Sequence, residues 1–344
     1  MPSRRQIVSG LVLCYLAVSL SVLISQQAKR IATSHSHNPY LFTAHFSAEN
    51  YQDIEDPFKP RLFSYLLVAP FVTLDLPPSK LGSAGRISGE AFERLVTGWT
   101  FAWMLAVLLL CASMPRPLLG LFGITAGVSF AYGLQGMVYP YDLPALFFAT
   151  LVVVLVRHRR ARWLPLVLAL GTGFKETLAV FSVLPFFLDG SRKERLRAVG
   201  YCLLACFWVF LAIDFYSGRS FWGFEAVTAA DDAQDAGRWK LALNLPLAMD
   251  PSSLVLFVNA GLALPLFFLP VGGDRLARGF RWVGALFVAG LFLLAQAREF
   301  RIFFELIPLC LYSVSLATSS RLRSVGSEPT GLPSRSGPES AATT

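Results

Sequence analysis

Charged side chains are scarce in this chain: Asp, Glu, Lys and Arg make up 15% of its 344 residues, against about 25% in soluble domains. Hydrophobic residues make up 54%. This imbalance excludes an ordinary soluble protein and predicts a polytopic membrane protein. The net charge of +8 does not indicate nucleic-acid binding, because the basic residues lie between apolar segments instead of forming one stripe.

Cysteine and histidine are also sparse. The five cysteines all lie in apolar segments, where none can link an external loop or offer metal-ligand spacing. His35, His37 and His45 share one polar stretch, and a metal site there is the alternative to flexible-loop histidines, although no fixed spacing supports it. The chain lacks a Gly-rich phosphate loop, a Walker motif and a nucleophile elbow. We therefore predict no resident cofactor, and a divalent metal stays an open alternative that no residue spacing supports.

The N-terminus resembles a signal peptide, because Arg4 and Arg5 precede an apolar run. The region around residues 23–25 lacks the small residue that is expected before a cleavage site. An uncleaved helix over 7–25 is the preferred interpretation, and it leads outward from a cytoplasmic N-terminus.

Lys175 and Glu176 stand side by side inside the apolar stretch 163–188. Basic runs flank this stretch at 157–162 and 192–197, and such runs mark the cytoplasmic side of a membrane. A single pass would put its two ends on opposite faces. We therefore predict a short hairpin that turns at Lys175 and Glu176, near the outer face. Two charges in such a place indicate function, because they are costly there.

The apolar segments predict an all-α, polytopic integral membrane protein with about ten transmembrane helices and an external juxtamembrane helix. Residues 1–318 form this domain, with external loops at 26–60 and 217–250. The stretch 61–76 contains a proline and is barely long enough to cross, so an interfacial helix is preferred to a true span. Residues 319–344 are predicted to be a disordered cytoplasmic tail. The predicted spans are 7–25, 91–113, 118–136, 143–156, the hairpin 163–188, 198–216, 252–270, 281–297 and 302–318.

On this map, the polar clusters at the membrane edges all reach the outer face. They are the acidic first loop, Tyr139 and Tyr141 with Asp142, Lys175 with Glu176, Asp214 with Tyr216, and the group Arg298, Glu299, Arg301 and Glu305. Arg301 and Glu305 are four residues apart and can pair along one side of a helix. Helix-end charges at the level of the lipid headgroups are the alternative interpretation. The convergence of the clusters favours a polar cavity that opens outward.

This arrangement resembles the GT-C superfamily of polytopic glycosyltransferases. Members of that superfamily use sugars linked to polyprenyl phosphate and act on the outer face of the membrane. Four features carry the resemblance: the acidic run that starts at Glu49, the corner Tyr139-Pro-Tyr-Asp142, the Gly-rich run that ends at Lys175, and the corner Arg298-Glu-Phe-Arg301.

The resemblance implies a bacterial-type inner-membrane enzyme with cytoplasmic termini. It implies sugar transfer, with inversion, from a polyprenyl-phosphate donor to a hydroxyl of a lipid, glycan or protein. The general base is expected to be Glu49 first and Asp53 second. The phosphate is expected to bind Lys175, Arg298 and Arg301. The remaining substrate-binding residues are Tyr141, Asp142 and Glu176, of which the two acids orient the lysine or the acceptor.

Two other classes of function stay open. One is a transporter or flippase for a phosphate-bearing lipid, which would use the same charges as a binding site. Transporter folds often carry internal repeats, and this sequence has no convincing repeat between its halves. The other is a noncatalytic membrane subunit whose charges pair with a partner.

The double substitution Glu49→Ala/Asp53→Ala is expected to abolish sugar transfer while leaving the protein folded, because it removes both candidate bases. The measurement is transfer of a labelled sugar by membranes that contain equal amounts of each variant. Full activity of the double variant would exclude a first-loop carboxylate as the base.

Overall fold

The computed structural model describes residues 4–34, 63, 67, 89–114, 116–135, 141–217, 274–294 and 304–326. Within these ranges the chain is helical and has no strand, which confirms the all-α prediction for this part. The elements are α1 (Arg4–Ser34), α2 (Gly89–Cys111), α3 (Pro117–Gln135), α4 (Asp142–Arg157), α5 (Leu164–Phe174), a 3-10 arm (Glu176–Phe187), α6 (Arg192–Ser217), α7 (Arg275–Leu294) and α8 (Leu306–Gly326).

The helices follow the predicted spans in order, but α1, α6, α7 and α8 are longer than expected, and α1 and α8 run past the C-terminal ends of their spans. α1 continues to Ser34, into the predicted external loop 26–60. α8 begins at Leu306 and continues to Gly326, so the start of the predicted disordered tail 319–344 is helical. Both extensions contain Arg, and the first also has Gln, Ala and Lys, which are good helix formers. Each of these two helices therefore continues beyond the apolar stretch from which it is predicted.

Five predicted segments lie wholly or largely outside the described residues. They are the loop 26–60 beyond residue 34, the juxtamembrane stretch 61–76 apart from Phe63 and Leu67, the loop 217–250 beyond residue 217, the span 252–270, and the tail beyond residue 326.

The chain reverses at Lys175, as the hairpin interpretation predicts. Thr172 and Ser182 stand on opposite sides of the turn, and both hydroxyls lie 3.4 Å from the Cys206 sulfur on α6. Ten residues of continuous helix would separate them by about 15 Å, so only a reversal brings them to one sulfur atom. Lys175 itself has extended backbone angles, which end α5 and begin the 3-10 arm. A 3-10 helix of 12 residues is unusually long.

The helices pack around one hydrophobic core to which every helix contributes. α1 and α4 flank α2, and α4 in turn contacts α5. α5, the 3-10 arm and α6 form a three-element layer, and α7 packs on the far side of the arm. α8 closes the group by contacting α3, α4 and α7. α4 and the 3-10 arm both lie in the interior of the helical group. The start of α4 and the start of the arm therefore come together there.

α3 and α8 run antiparallel and approach closely through glycine. A Cβ atom on Gly127 would come within 2.8 Å of the Ile307 side chain, and one on Gly123 would collide with Leu311. Gly123 and Gly127 are four residues apart, the small-xxx-small pattern that brings helix backbones together in membranes. This contact positions the start of α8.

Basic residues collect at one end of the helical group, defined here as the basic end (157–162, 189–197 and 274–281). These segments hold eleven Arg and Lys against three Asp and Glu. Arg157 donates to the Ser113 carbonyl at 2.6 Å, which joins the ends of α4 and α2. Tyr312 lies within electrostatic reach of both Arg157 and Asp274. The three segments therefore belong to the same end.

The helices that leave the basic end have polar caps. Ser191 and Glu194 form a reciprocal capping box at the start of α6, with the Ser191 N–H 2.8 Å from the Glu194 carboxylate. Asp274 accepts the Ala277 N–H at 2.9 Å and caps α7. Gly190 supplies the positive φ of +128° that the preceding turn requires.

The outward surface is strongly apolar. Phe122 on α3 is 73% exposed, and Phe215 on α6 is 84% exposed. By length and composition, two of the described helices are able to cross a bilayer, through Ser9–Gln26 in α1 and Arg192–Ile213 in α6. The apolar parts of other helices, such as Val96–Cys111 and Leu306–Leu316, are shorter.

The close contact between α3 and α8 gives a stability prediction. Gly127→Leu is expected to lower the free energy of unfolding by about 1–3 kcal/mol, because the new side chain overlaps Ile307. The matched control is Gly200→Leu, since Gly200 on α6 faces open space. Thermal unfolding in detergent measures both. Equal unfolding midpoints for the two variants would contradict the packing described here.

Candidate functional site

Three segments bring charged groups together at the end of α4 that is remote from the basic end. The Lys175 Nζ lies 3.3 Å from Asp142 Oδ1 and 3.0 Å from Glu305 Oε1. The Thr177 hydroxyl donates to the same Glu305 oxygen at 2.9 Å. Asp142 is 1% exposed, Lys175 3% and Glu305 0%. These four residues are called the Lys175 junction below.

Helix ends place each charge of the junction. Asp142 is the first residue of α4, and Glu305 immediately precedes α8. Lys175 is the residue that follows α5, where its backbone N–H donates to the Gly171 carbonyl at 2.9 Å. Helix N-termini favour negative charge and C-termini favour positive charge. All three side chains therefore carry the sign that their helix end stabilises.

Burial makes the pairing obligatory. Taking each ion out of water costs several kcal/mol, and the attraction between opposite charges has to offset that cost. With both carboxylates ionised, the junction has one net negative charge, and a proton on either carboxylate makes it neutral. Glu305 Oε2 is buried and has no hydrogen-bond partner in the described part of the chain. The junction thus holds an oxygen that can still accept a hydrogen bond or carry a proton.

Aromatic rings surround the junction. Phe174, next to Lys175 in sequence, packs against Trp103 and Phe148 with centroid distances of 5.4 Å to each. Phe304, next to Glu305, contacts Tyr132 edge-on at 5.3 Å. Such a wall keeps water away, and a lower local dielectric strengthens the ion pairs inside it.

An apolar groove of about 350 Å³ lies between α5 and α6. Pro165 and Leu166 line it from α5, and Trp208 from α6. Phe63 also lines the groove, and its ring meets that of Phe174 at 6.1 Å. The Phe63 ring therefore stands between the groove and Phe174, the residue that precedes Lys175.

Four of the sequence-predicted residues fall in the described part of the chain, and they cluster. Asp142 contacts Lys175, as expected for an acid that orients the lysine. Tyr141 is buried beside Asp142 and precedes α4. Glu176 is half-buried and begins the 3-10 arm. The other predicted residues, Glu49, Asp53, Arg298 and Arg301, lie outside the described residues.

The roles of Glu305 and Thr177 were not predicted. The four-residue spacing predicts a pair with Arg301, which lies outside the described residues, and the structure adds a contact with Lys175. One signal was present: Glu305 stands between Phe304 and Leu306, and an acid in such apolar sequence needs a cation from elsewhere in the fold. Thr177 has no comparable signal.

No cluster of three His, Cys, Asp or Glu side chains in the described ranges could hold a metal ion. His35, His37 and His45 lie outside those ranges. Comparison with known protein families, curated proteins and solved structures gives no match to this chain.

The junction gives a stability prediction with an internal rescue. Lys175→Met is expected to destabilise the protein by about 3–5 kcal/mol, because it leaves two carboxylates buried without their cation. The triple variant Asp142→Asn/Lys175→Met/Glu305→Gln removes every charge together and is expected to recover much of that loss.

Thermal unfolding of the wild type, the single variant and the triple variant measures this effect. Lys193→Met is the control, because Lys193 is exposed at the basic end. A triple variant that is less stable than Lys175→Met would contradict a charge-driven junction.

Proposed function

We propose that this chain is a polytopic membrane glycosyltransferase of the GT-C type. It transfers a sugar from a polyprenyl-phosphate donor to a hydroxyl of a lipid, glycan or protein on the outer face of the membrane. The observation that carries the proposal is the position of the Lys175 junction beside an apolar groove, at the end of the helices opposite the basic end.

Membrane insertion is supported by where the polar and apolar side chains lie. Large apolar side chains point outward on α1, α3 and α6, while Asp142, Lys175 and Glu305 are buried. Extended exposed apolar patches are rare in soluble proteins, so the outward apolar side chains are what favours a membrane here. The buried charges are paired, as buried charges in soluble proteins also are.

The orientation is supported by the separation between the basic end and the junction. α4 runs from Asp142 to Arg157 over 16 residues, which spans about 24 Å. That distance approaches the thickness of the hydrocarbon core. Basic residues favour the cytoplasmic side, so the junction belongs at the outer side.

The groove and the junction together match the two halves of a polyprenyl-phosphate donor. Such a donor has a long apolar chain and an anionic head. The groove offers an apolar surface that includes Leu166 and Trp208, and the Phe63 ring on its lining contacts Phe174, the residue before Lys175. In this proposal the donor chain leaves the groove past Phe63 and brings its head group to the junction.

The charge of the junction assigns roles in the proposed reaction. A phosphate is repelled by the net negative charge of the junction, so Arg298 and Arg301 supply most of the positive charge that it needs. Lys175 contributes when the phosphate replaces one of its carboxylates or when a proton neutralises one. Asp142 holds the lysine in place, and Glu176 and Tyr141 border the same end.

The chemical step is a displacement at the anomeric carbon. The acceptor oxygen forms a bond to that carbon as the bond to the donor phosphate oxygen breaks. The acceptor proton passes to Glu49 or Asp53, and the electron pair leaves with polyprenyl phosphate. No metal is needed to balance this step.

One observation favours a transporter as the second candidate. All three charges of the junction are buried almost completely, and buried ion pairs in membranes often lie on the path of protons or substrates. A transporter would open the junction to each side in turn and would leave its substrate chemically unchanged.

Radiolabelled sugar transfer separates the two candidates. Membranes that contain the protein, supplied with a range of polyprenyl-phosphate sugars, are expected to move label into a lipid, glycan or protein fraction. The control is the same membrane with Glu49→Ala/Asp53→Ala. Uptake of the labelled compound with no transfer would overturn the enzyme assignment in favour of the transporter.

A further inference from the structure

Two arginines converge at the basic end, where α6 and α7 begin. Arg195 Nη1 lies 3.2 Å from the Phe186 carbonyl oxygen, and Arg275 Nη2 lies 3.4 Å from the same atom. The two guanidinium groups therefore stand side by side, although their positive charges repel. They are called the arginine pair below.

Carboxylates do not neutralise the arginine pair within the described residues. Neither Arg195 nor Arg275 forms an ion pair with a carboxylate in that part of the chain. Of the three acids at the basic end, Glu194 caps α6, Asp274 caps α7, and Asp189 is exposed and makes no ion pair with either arginine.

Most donors of the arginine pair remain available. A guanidinium group has five N–H donors, and the Phe186 carbonyl takes one from each arginine. The buried Arg195 Nε has no hydrogen-bond partner in the described part of the chain. Each arginine caps the end of the 3-10 arm with one N–H, which it donates to the Phe186 carbonyl. This role does not use the other donors of either guanidinium group.

The surroundings of the pair combine positive charge with exposed apolar surface. Arg192 and Lys193 are exposed one turn before Arg195. Phe186 and Leu196 expose large apolar side chains beside the pair, and the Arg195 guanidinium lies 5.4 Å from the Phe186 ring centroid. A ligand that fits both features has an anionic head group and apolar chains.

We infer that the arginine pair binds the phosphate of an anionic phospholipid on the cytoplasmic side of the membrane. Two guanidinium forks supply the donors that phosphate oxygens accept, and Phe186 and Leu196 contact the acyl chains. The inference rests on the proposed membrane placement and not on the glycosyltransferase activity.

The test is lipid binding by the purified full chain in a neutral detergent. The probes are dioctanoyl phosphatidylglycerol, dioctanoyl phosphatidylcholine as the neutral counterpart, and inorganic phosphate as the free anion. The wild type is expected to prefer phosphatidylglycerol. Arg195→Gln/Arg275→Gln is expected to bind it at least about 25-fold more weakly, because two charges contribute about a fivefold factor each and the guanidinium hydrogen bonds to the phosphate are lost with them.

A matched control removes the same charge elsewhere on the basic end. Arg160→Gln/Arg197→Gln changes two exposed arginines that do not donate to Phe186, and it is expected to weaken binding several-fold less than Arg195→Gln/Arg275→Gln, because it loses diffuse attraction and no hydrogen bond to the phosphate. If both double variants lose the same affinity for phosphatidylglycerol, the lipid is held by the overall positive charge of the basic end and not by a site at the arginine pair. Displacement of the lipid by an equal concentration of inorganic phosphate would overturn the choice of a lipid.

A second measurement needs no variant. A photoactivatable phosphatidylglycerol is expected to label the wild type mainly at 186–196 and 275–282, and labelling spread evenly over all exposed helices would contradict the site. Sugar transfer is measured on the same preparations. A protein that binds the lipid but transfers no sugar contradicts the proposed function alone, and a protein that transfers sugar but does not bind the lipid contradicts this inference alone.

Discussion

A buried ammonium group stays charged only if carboxylates replace the water that it has lost, and Lys175 satisfies this condition twice. Its contacts with Asp142 and Glu305 join the start of α4, the turn after α5 and the start of α8. None of these segments can move away alone without leaving an uncompensated charge in an apolar interior. The glycine contacts between α3 and α8 hold Glu305 from the other side.

Much of the fold could be predicted from the sequence, because apolar runs and basic runs report directly on helices and their ends. The reversal at Lys175 followed from arginines on both sides of one apolar stretch. The proximity of Asp142 and Lys175 followed from the same sidedness. Local rules of this kind do not depend on which helix packs against which.

The partner of Glu305 could not be predicted, because it is decided by packing between distant segments. The four-residue spacing predicts Arg301 as a neighbour of Glu305. In the structure, Glu305 precedes α8 and contacts Lys175, a residue that is distant in the sequence. The 3-10 form of the arm at Glu176–Phe187 could not be predicted either, because its apolar sequence is also compatible with an α-helix. This partner matters for function, because two carboxylates on one lysine leave Arg298 and Arg301 as the main phosphate ligands of the proposed reaction.

A cryo-electron microscopy map of the full chain in a lipid nanodisc tests the central claim most directly. It is predicted to have the Lys175 ammonium between the Asp142 and Glu305 carboxylates at the outer end of the helices, with Arg195 and Arg275 at the opposite face of the bilayer. Glu49 or Asp53, together with Arg298, is predicted to border the same outer cavity. A map in which Lys175 contacts neither carboxylate, or in which both ends lie on one side of the bilayer, would contradict the account.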